Sequence, residues 1–273
     1  MKFELHCHSH HSRGAKILWE GIPSPSEIIA HAKRIGLSGV AITDHHTTKA
    51  WPEARREAKK QGIIFIPGVE VQTDSGHIIA LGINEPVANN LSVEETVEKI
   101  RSHGGISVAA HPFDIRGQGA RELAVKADVI EIFNSLNIDK IGNLIAASKF
   151  RHSPLPKVAG SDAHTLSMLG RSVNKMEADD VDGVLKCIRS GRVGFEGEYI
   201  PMNDVIEWAR ERLSRSRVQV LDYMEKNYNP AKVWLYRKML KKFLVTSNTP
   251  WRVLAEMSLC AVQSYGVARI VVQ

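Results

Sequence analysis

Seven short apolar segments recur along the first part of the chain, and amphipathic stretches separate several of them. The segments read FELHCH, GVAIT, IIFIPG, HIIALG, ISVAAH, VIEIF and KVAGS. Between them, Gly62 is placed to end one helix, and Ser92 and Glu95 form a capping box at the start of another. Because strands that alternate with helices usually pair in parallel, the pattern predicts an α/β fold with a parallel sheet, and seven strands favour a closed or nearly closed barrel.

A doubly wound open sheet is the structural alternative. In such a sheet a glycine-rich loop after the first strand would cradle the phosphates of a nucleotide. No GxGxxG or GxxxxGK[ST] motif follows the first strand, so a nucleotide-binding version of that fold lacks support.

From about Met202 the pattern becomes helical, and the charge changes with it. Residues 201–273 hold 12 lysines and arginines against 6 acids, whereas residues 1–200 hold 24 of each, and all 12 histidines lie at or before position 164. We therefore divide the chain into a barrel domain of residues 1–200 and a basic α-helical extension of residues 201–273. The extension also contains three of the five tryptophans, so its apolar helix faces equally suit packing on the barrel or on a partner subunit of a homo-oligomer.

Neither a membrane nor an oxidising compartment is indicated. No apolar segment approaches the roughly 20 residues that cross a bilayer, and the opening MKFELHCH lacks the apolar core of a secretory signal. The three cysteines form no CxxC pair, so we expect a protein of the reducing cytoplasm. Cys7 should face away from His6 and His8, because side chains alternate along a strand.

Polar side chains gather at the ends of the predicted strands. In a barrel of parallel strands the carboxyl ends meet at one rim, so side chains far apart in the sequence would converge there. His77 precedes its strand and needs a loop or an antiparallel strand to reach the same rim. Seven further residues are candidate metal ligands at strand ends: His6, His8, His45, Glu70, His111, Asp162 and His164.

The ligand types indicate which ions and which chemistry such a site would serve. Imidazole together with carboxylate suits zinc, manganese or iron, and the lack of cysteine ligands argues against a structural thiolate site. The ligands are too many for one ion, so we expect two or three divalent ions that share a bridging carboxylate. Closely spaced ions bind the oxygens of a phosphate ester and generate hydroxide near neutral pH, which predicts phosphoester hydrolysis.

The motifs HCH, TDHHT, PGVE, GHIIALG, AAHPF and GSDAH resemble, in this order, those of the polymerase and histidinol phosphatase (PHP) domain family. The resemblance covers about residues 1–200, including the LGR that follows SDAHTLSM. It implies a distorted (β/α)7 barrel with a metal cluster at its carboxyl-terminal rim, followed here by the helical extension. It also implies phosphoesterase activity, with a hydroxide between the ions as the nucleophile.

The same resemblance implies how the ligands divide among three ions, with Glu70 bridging two of them: His6, His8, Asp162 and Glu70 for the first, Glu70, His77 and His111 for the second, and His45 and His164 for the third. Among the candidate catalytic residues, Asp44 would orient its neighbours rather than bind an ion. Arg116 and Arg171 would hold the phosphate, because a guanidinium matches its oxygens bidentately; either could equally be a surface charge.

The chain departs from the family pattern shortly after the first HxH pair. Many members have an aspartate or histidine ligand where this chain reads Ser12-Arg13-Gly14, and a charged guanidinium has no lone pair to offer a metal. Three alternatives stay open: His10 or His11 substitutes as a ligand, Arg13 contacts the phosphate, or the third ion binds weakly. We interpret the remaining histidines as non-ligands: His31, His46, His103 and His152.

Three functions follow from these patterns. The leading hypothesis is a metal-dependent phosphoesterase that acts on a small phosphorylated metabolite or nucleotide. The nearest alternative is a nuclease that trims DNA or RNA ends, with the basic extension neutralising the phosphate backbone. A non-catalytic scaffold is the third, and retention of nearly the whole ligand set argues against it.

Overall fold

The computed structural model describes residues 1–14 and 17–272, and within them nine strands form one sheet. The strands are β1 (Lys2–Cys7), β2 (Gly39–Ile42), β3 (Ile64–Thr73), β4 (Gly76–Leu81), β5 (Ile106–Ala109), β6 (Val129–Asn134), β7 (Lys157–Gly160), β8 (Ser172–Lys175) and β9 (Gly194–Gly197). Their order across the sheet is β7-β6-β5-β4-β3-β2-β1-β8-β9. The seven predicted strands are therefore β1 to β7.

Helices connect the strands and then continue alone at the carboxyl end. They are α1 (Pro25–Arg34), α2 (Trp51–Gln61), α3 (Val93–Ser102), α4 (Ile141–Lys149), α5 (Val181–Arg189), α6 (Met202–Arg215), α7 (Arg217–Asn227), α8 (Pro230–Val245) and α9 (Asn248–Val272), with a 3-10 helix at Arg121–Lys126. The predicted capping box of Ser92 and Glu95 is present, and Gly62 ends α2 with φ 65°. None of the helices in the described residues is both long enough and apolar enough to span a bilayer.

The sheet is not parallel throughout, and this corrects the sequence-based expectation. β1, β2 and β3 are parallel, as are β5, β6 and β7, but β4 runs antiparallel to both β3 and β5. The cause is the short turn between Thr73 and Gly76, since so short a connection can join only antiparallel strands. Gly76 has φ 120°, and the Thr73 hydroxyl donates to its carbonyl at 2.6 Å.

Two strands beyond the seven predicted help to curl the sheet towards closure. β8 pairs antiparallel with β1, and β9 with β8. Further along the edge of β1 that faces away from β2, the Asp162 amide donates to the His6 carbonyl at 2.9 Å, and the His8 amide donates to the Ala163 carbonyl at 2.8 Å. The segment after β7 thus reaches β1 and nearly closes the barrel. The predicted α/β barrel is confirmed, in a distorted form.

β1 shows how the fold provides a polar interior. Its apolar residues Phe3, Leu5 and Cys7 alternate with Glu4 and His6, and all five are buried. A register shift between Glu4 and Cys7 interrupts this alternation, so Phe3 and Leu5 pack in one apolar cluster and Cys7 packs in another. The Cys7 thiol donates to the Ala41 carbonyl at 3.2 Å, so Cys7 lies on the face opposite His6, as expected.

The helical extension begins by packing on the barrel. Trp208 of α6 is buried in the same apolar cluster as residues from β1 to β3. Arg210 of α6 donates to the carbonyls of Phe243 and Thr246, which ties α6 to the end of α8. Along α8, Val233 and Leu240 are buried, whereas the basic residues Arg237, Lys238, Lys241 and Lys242 are exposed. The domain division at residue 200 remains a prediction, although α6 packs with the barrel.

Candidate metal centre

Eight side chains converge at the rim of the barrel, and they are the eight predicted ligands. β1 supplies His6 and leads to His8, and β3 and β4 supply Glu70 and His77. The others follow directly on β2, β5 and β7. Seven are buried and His45 is half-buried. They overlap in four groups with mutually close ligand atoms: His6, His8 and Glu70; His6, His111 and Asp162; His45, Glu70 and His77; and His8, His45 and His164.

Four atoms of this cluster have the spacing of a tetrahedral metal site. His6 Nε2 lies 3.2 Å from His8 Nε2, 3.4 Å from Glu70 Oε2 and 3.5 Å from Asp162 Oδ1. His8 Nε2 lies 3.3 Å from the Glu70 oxygen and 3.2 Å from the Asp162 oxygen. Metal–ligand bonds of 2.0–2.2 Å at tetrahedral angles separate ligand atoms by about 3.4 Å. These four residues therefore fit one ion.

Glu70 connects this position to the rest of the cluster. Its Oε1 lies 2.8 Å from His77 Nδ1 and 3.0 Å from His111 Nε2. Its Oε2 lies 3.2 Å from His45 Nδ1. With one oxygen in the tetrahedral set and the other facing two further imidazoles, Glu70 has the geometry of a bridging carboxylate. His77 reaches the cluster because β4 is antiparallel. An antiparallel strand was one of the two arrangements expected to bring His77 to the rim.

Unpartnered ring nitrogens support the fit to metal. The Nδ1 atoms of His45, His77 and His111 are buried and make no hydrogen bond within the described residues. A buried nitrogen without a partner costs free energy. For His45 and His77 this nitrogen faces Glu70, so an ion placed between them would satisfy it.

The backbone at two of the eight positions is strained. Asp162 has φ 54° and His111 has φ 28°, and neither is glycine. Such conformations cost about 1–3 kcal/mol each and persist where the surrounding structure imposes them. Here they direct side chains that follow β7 and β5 into the rim, where a relaxed backbone would turn them elsewhere.

The two cluster carboxylates are held in the ionised form by their neighbours. Burial raises the pKa of Glu70, but the surrounding imidazoles, His77 the foremost, outweigh it and keep the pKa well below its usual value. Burial likewise raises the pKa of Asp162, and the charge of His6 outweighs it, so this pKa is also well below the usual value. Both acids are therefore available as anionic ligands.

The histidines divide into two kinds. Burial lowers the pKa values of His45 and His164 well below the usual value, so these rings are neutral, the form that binds metal. For His8, burial also favours the neutral ring, but hydrogen bonds with Asp162 and Glu70 raise the pKa to about 9. An ion at the tetrahedral position would take the place of that proton.

Glu131 is a residue of the site that the sequence reasoning missed. Its Oε1 lies 2.8 Å from His6 Nδ1, and its Oε2 accepts hydrogen bonds from the His111 amide at 2.8 Å and the Asn134 side chain at 2.9 Å. It thereby fixes the ring orientation of His6, so that Nε2 faces the metal position. The available signal was a single acid within the apolar strand VIEIF.

Asp44 lies behind the cluster and acts through the loop after β1. Its oxygens accept from the Ser9 amide and hydroxyl, both at 2.6 Å, and from the Ser12 hydroxyl at 3.1 Å. Ser12 in turn lies 3.0 Å from His8 Nδ1 and accepts from the His45 amide at 3.0 Å. Asp44 therefore orients His8 and His45 through Ser12.

The two candidate phosphate-binding arginines lie in different places. Arg116 contacts the cluster, since its Nη2 is 3.7 Å from Asp162 Oδ2, while its Nε donates to Asp114 at 2.8 Å. The Arg116 side chain is 42% exposed, so it has donors free for a substrate. Arg171 instead pairs with Glu198 at 3.6 Å and with Asp204 of α6 at 3.4 Å. Its described contacts are those of a link between the barrel and α6.

The loop residues left open by the sequence do not join the cluster. Arg13 is exposed, and its guanidinium lies 3.8 Å from the centre of the Trp19 ring. His10 and His11 pack against each other, with ring centres 4.3 Å apart. Neither belongs to a ligand group formed by the described residues. The same holds for the four histidines interpreted as non-ligands: His31, His46, His103 and His152.

The charge of the centre suits a phosphate substrate. Glu20, Glu70, Glu131 and Asp162 are the acids in contact with its histidines. Two divalent ions would balance their charge, and three would exceed it by two. The excess positive charge, together with Arg116, would attract the oxygens of a phosphate ester in a site with little water.

Comparison with known proteins points in the same direction. Residues 4–125 match the family model of the PHP domain, and residues 140–193 match that of a PHP-associated region. An uncharacterized protein of Methanocaldococcus jannaschii is 36% identical over 156 residues, which are 55% of this chain and 91% of that protein. In structure, a two-domain protein from Bacteroides vulgatus containing a predicted PHP-like metal-dependent phosphoesterase superposes with a TM-score of 0.60 at 16% identity. That match covers 78% of this chain and 69% of the other.

Two relatives with named activities match over shorter stretches. A 3',5'-nucleoside bisphosphate phosphatase of Chromobacterium violaceum is 36% identical over 116 residues, and a 5'-3' exoribonuclease of Haemophilus influenzae is 29% identical over 111 residues. Each match covers 39% of this chain and 38% of the relative. The chain thus spans well under half the length of these two proteins.

Proposed function

The chain belongs to the PHP domain family of metal-dependent phosphoesterases, and on that premise we propose that it hydrolyses the phosphate ester of a small nucleotide or phosphorylated metabolite. The observation that carries this proposal is the tetrahedral spacing of His6, His8, Glu70 and Asp162 beside a second set of imidazoles on the same carboxylate. The nucleoside bisphosphate phosphatase relative supports the substrate class.

The roles of the residues follow from their places. The eight converging side chains would hold two or three divalent ions, which when bound supply Lewis acidity and lower the pKa of water. Glu131 keeps His6 turned towards the centre, and Asp44 does the same for His8 through Ser12. Arg116 would hold a phosphate oxygen with its free donors, orienting the ester against the cluster.

A substrate panel with metal reconstitution tests this proposal. The purified chain, stripped of metal and supplied with Mn²⁺, Zn²⁺ or Fe²⁺, is assayed on phosphomonoesters, on nucleoside bisphosphates and on 5'-labelled oligonucleotides. We expect phosphate release from small esters to exceed cleavage of oligonucleotides in kcat/KM, and to be absent without metal. Efficient shortening of oligonucleotides with no release from small esters would contradict the proposal.

A nuclease is the second candidate, and the basic face of α8 favours it together with the exoribonuclease relative. Lys238, Lys241 and Lys242 are exposed on this face. If they contact a phosphate backbone, replacing all three with glutamine should weaken oligonucleotide binding and reduce the slope of its salt dependence by about 3. A matched control replaces the exposed Lys33, Lys59 and Lys60 in the same way. Equal binding by the two variants would remove the role of α8.

Two further expectations are retained as part of the proposal. Action in the reducing cytoplasm fits a thiol such as Cys7, which is buried and donates a hydrogen bond as a thiol. A homo-oligomer fits the exposed apolar side chains of α8, among them Trp234, which is 58% exposed. Size-exclusion chromatography with light scattering would test the second point.

A further inference from the structure

The loop between β1 and α1 is attached to α6 through its backbone. The Trp208 indole donates to the Glu20 carbonyl at 2.7 Å, and Arg212 Nε donates to the Trp19 carbonyl at 3.0 Å. The Trp19 amide donates to the Ser216 hydroxyl at 3.0 Å. Three hydrogen bonds thus fix two consecutive loop residues against the end of the barrel where the cluster lies.

This attachment places the side chain of Glu20 between the cluster and α6. Its Oε2 lies 3.6 Å from His45 Nε2, and its Oε1 lies 3.6 Å from Arg212 Nη2. The side chains of Glu20 and Arg212 are only 21% and 18% exposed. Trp208 completes the wall, with its ring centre 4.5 Å from that of His164.

One of the four ligand groups lacks an acid of its own. His8, His45 and His164 have mutually close nitrogens, but no carboxylate belongs to that group, in contrast to the other three. Their rings stack, with centres 4.7 Å apart for His8 and His45 and 4.4 Å apart for His8 and His164. A divalent ion bound by three imidazoles would keep its full positive charge, so a carboxylate as a further ligand would be stabilised at this position.

We propose that Glu20 supplies the carboxylate of a third metal position with His45 and His164, and that Arg212 of α6 holds it there. This inference rests on the metal-dependent function proposed above. The 3.6 Å between Glu20 Oε2 and His45 Nε2 is close to the roughly 3.4 Å between two ligands of one tetrahedral ion. The ion pair with Arg212 at 3.6 Å would hold this carboxylate from outside, as the outer partners of ligating carboxylates do.

Arg13, which belongs to the same loop, does not occupy this metal position. The guanidinium of Arg13 stacks on the Trp19 ring. The guanidinium of Arg215 lies 5.2 Å from the centre of the same ring. Arg13 therefore stabilises the loop that carries Glu20 and leaves the metal position open. In this arrangement the helical extension is part of the active site, because α6 determines where a ligand of the loop lies.

Metal binding by the full-length chain tests the inference without relying on activity. The metal-free protein is titrated with Zn²⁺ by calorimetry, and the ions retained after desalting are counted by mass spectrometry. We expect three equivalents for the unaltered chain. In Glu20→Gln the affinity of one equivalent should fall at least tenfold while the other two are unchanged. Glu98→Gln, which removes an exposed acid of α3, serves as the control of equal charge.

Further variants separate a ligand from a structural ion pair. Glu20→Asp keeps the carboxylate and should retain the third equivalent with intermediate affinity, and Arg212→Lys should retain more of that affinity than Arg212→Gln. The melting temperature of each metal-free variant checks its folding. Three equivalents of unchanged affinity in Glu20→Gln, or only two in the unaltered chain, would overturn this inference alone. An unaltered chain that binds no metal would overturn the proposed function with it.

Discussion

The carboxylate of Glu70 faces five imidazoles, those of His6, His8, His45, His77 and His111, at distances between 2.8 and 3.4 Å. The Glu70 side chain is buried, so these imidazoles and not the solvent surround its carboxylate. A single side chain thereby brings together groups that belong to both halves of the sheet. Any change in its charge or number of oxygens affects more than one metal position.

Glu70→Ala and Glu70→Gln are expected to abolish phosphoesterase activity, because each would remove the carboxylate that is placed to bridge two ions. The loss should exceed the roughly 10–100-fold that removal of an outer carboxylate costs. Steady-state kinetics with saturating metal measures it, and Glu98→Gln, at an exposed position of α3, is the control. Turnover within tenfold of the unaltered chain would refute the bridging role.

At the residue scale, the sequence identifies side chains at strand ends better than those within strands or loops. Seven of the eight candidate ligands follow from their places at the ends of apolar segments, and His77 from its place just before one; the structure brings all eight together. Glu131 escaped because an acid inside a strand carries no periodic signal, and Glu20 because its loop is placed by α6, more than 180 residues later. Contacts of that kind depend on tertiary packing, which no local pattern encodes.

Among the elements, α3, β5 and β6 are joined by one carboxylate outside the metal centre. Asp128, just before β6, accepts from Arg101 Nη2 of α3 at 2.7 Å and from the amide and hydroxyl of Ser107 in β5 at 3.0 and 2.7 Å. Burial raises the pKa of Asp128, but the hydrogen bonds from Ser107 and Arg101 outweigh it, so the pKa is lower than usual. The interaction therefore stabilises the fold while Asp128 is ionised.

Asp128→Asn should lower the free energy of unfolding by about 1–2 kcal/mol at neutral pH, since it weakens charge-assisted hydrogen bonds. Because the folded-state pKa lies below the unfolded value of 3.8, the contribution is full above that pH and is lost as the pH falls below it. Urea unfolding at pH 7 and pH 3 measures the difference, with the exposed Asp179→Asn as control. A difference of equal size at both pH values would exclude this origin.

Elements with a strong local signal were predicted, and those without one were not. The capping box of α3 and the glycine that ends α2 marked helix boundaries correctly. β8 and β9 were missed because SVNK and GFEG are four-residue strands with little apolar content, and β9 is exposed throughout. β4 was found, but its direction depends on the turn before it and not on its own residues.

For the whole molecule, metal binding at this centre would be coupled to folding. The ligands come from six places in the chain between positions 6 and 164, so the unfolded chain has no such site. Ions that bind only the folded state stabilise it in proportion to the logarithm of their free concentration. The pattern of strand ends predicted this convergence. The packing of α6 on the barrel could not be predicted from the local sequence of the extension.

Removal of metal with a chelator should lower the melting temperature by about 5–10 °C, the shift expected when ions at 100 times their dissociation constant contribute about 2.7 kcal/mol. Differential scanning fluorimetry with and without EDTA measures it. Glu70→Gln should show a much smaller shift, which separates site binding from general ionic effects. A melting temperature that neither EDTA nor added Zn²⁺ changes would argue against a metal centre.

The attachment of the first loop to α6 has a consequence for biosynthesis. The HxH pair and its loop leave the ribosome first, and the helix that secures them follows more than 180 residues later. Until that helix has emerged and packed, the nascent chain lacks a finished pocket. Competence for hydrolysis would therefore depend on the later part of the polypeptide returning to the segment that holds the HxH pair.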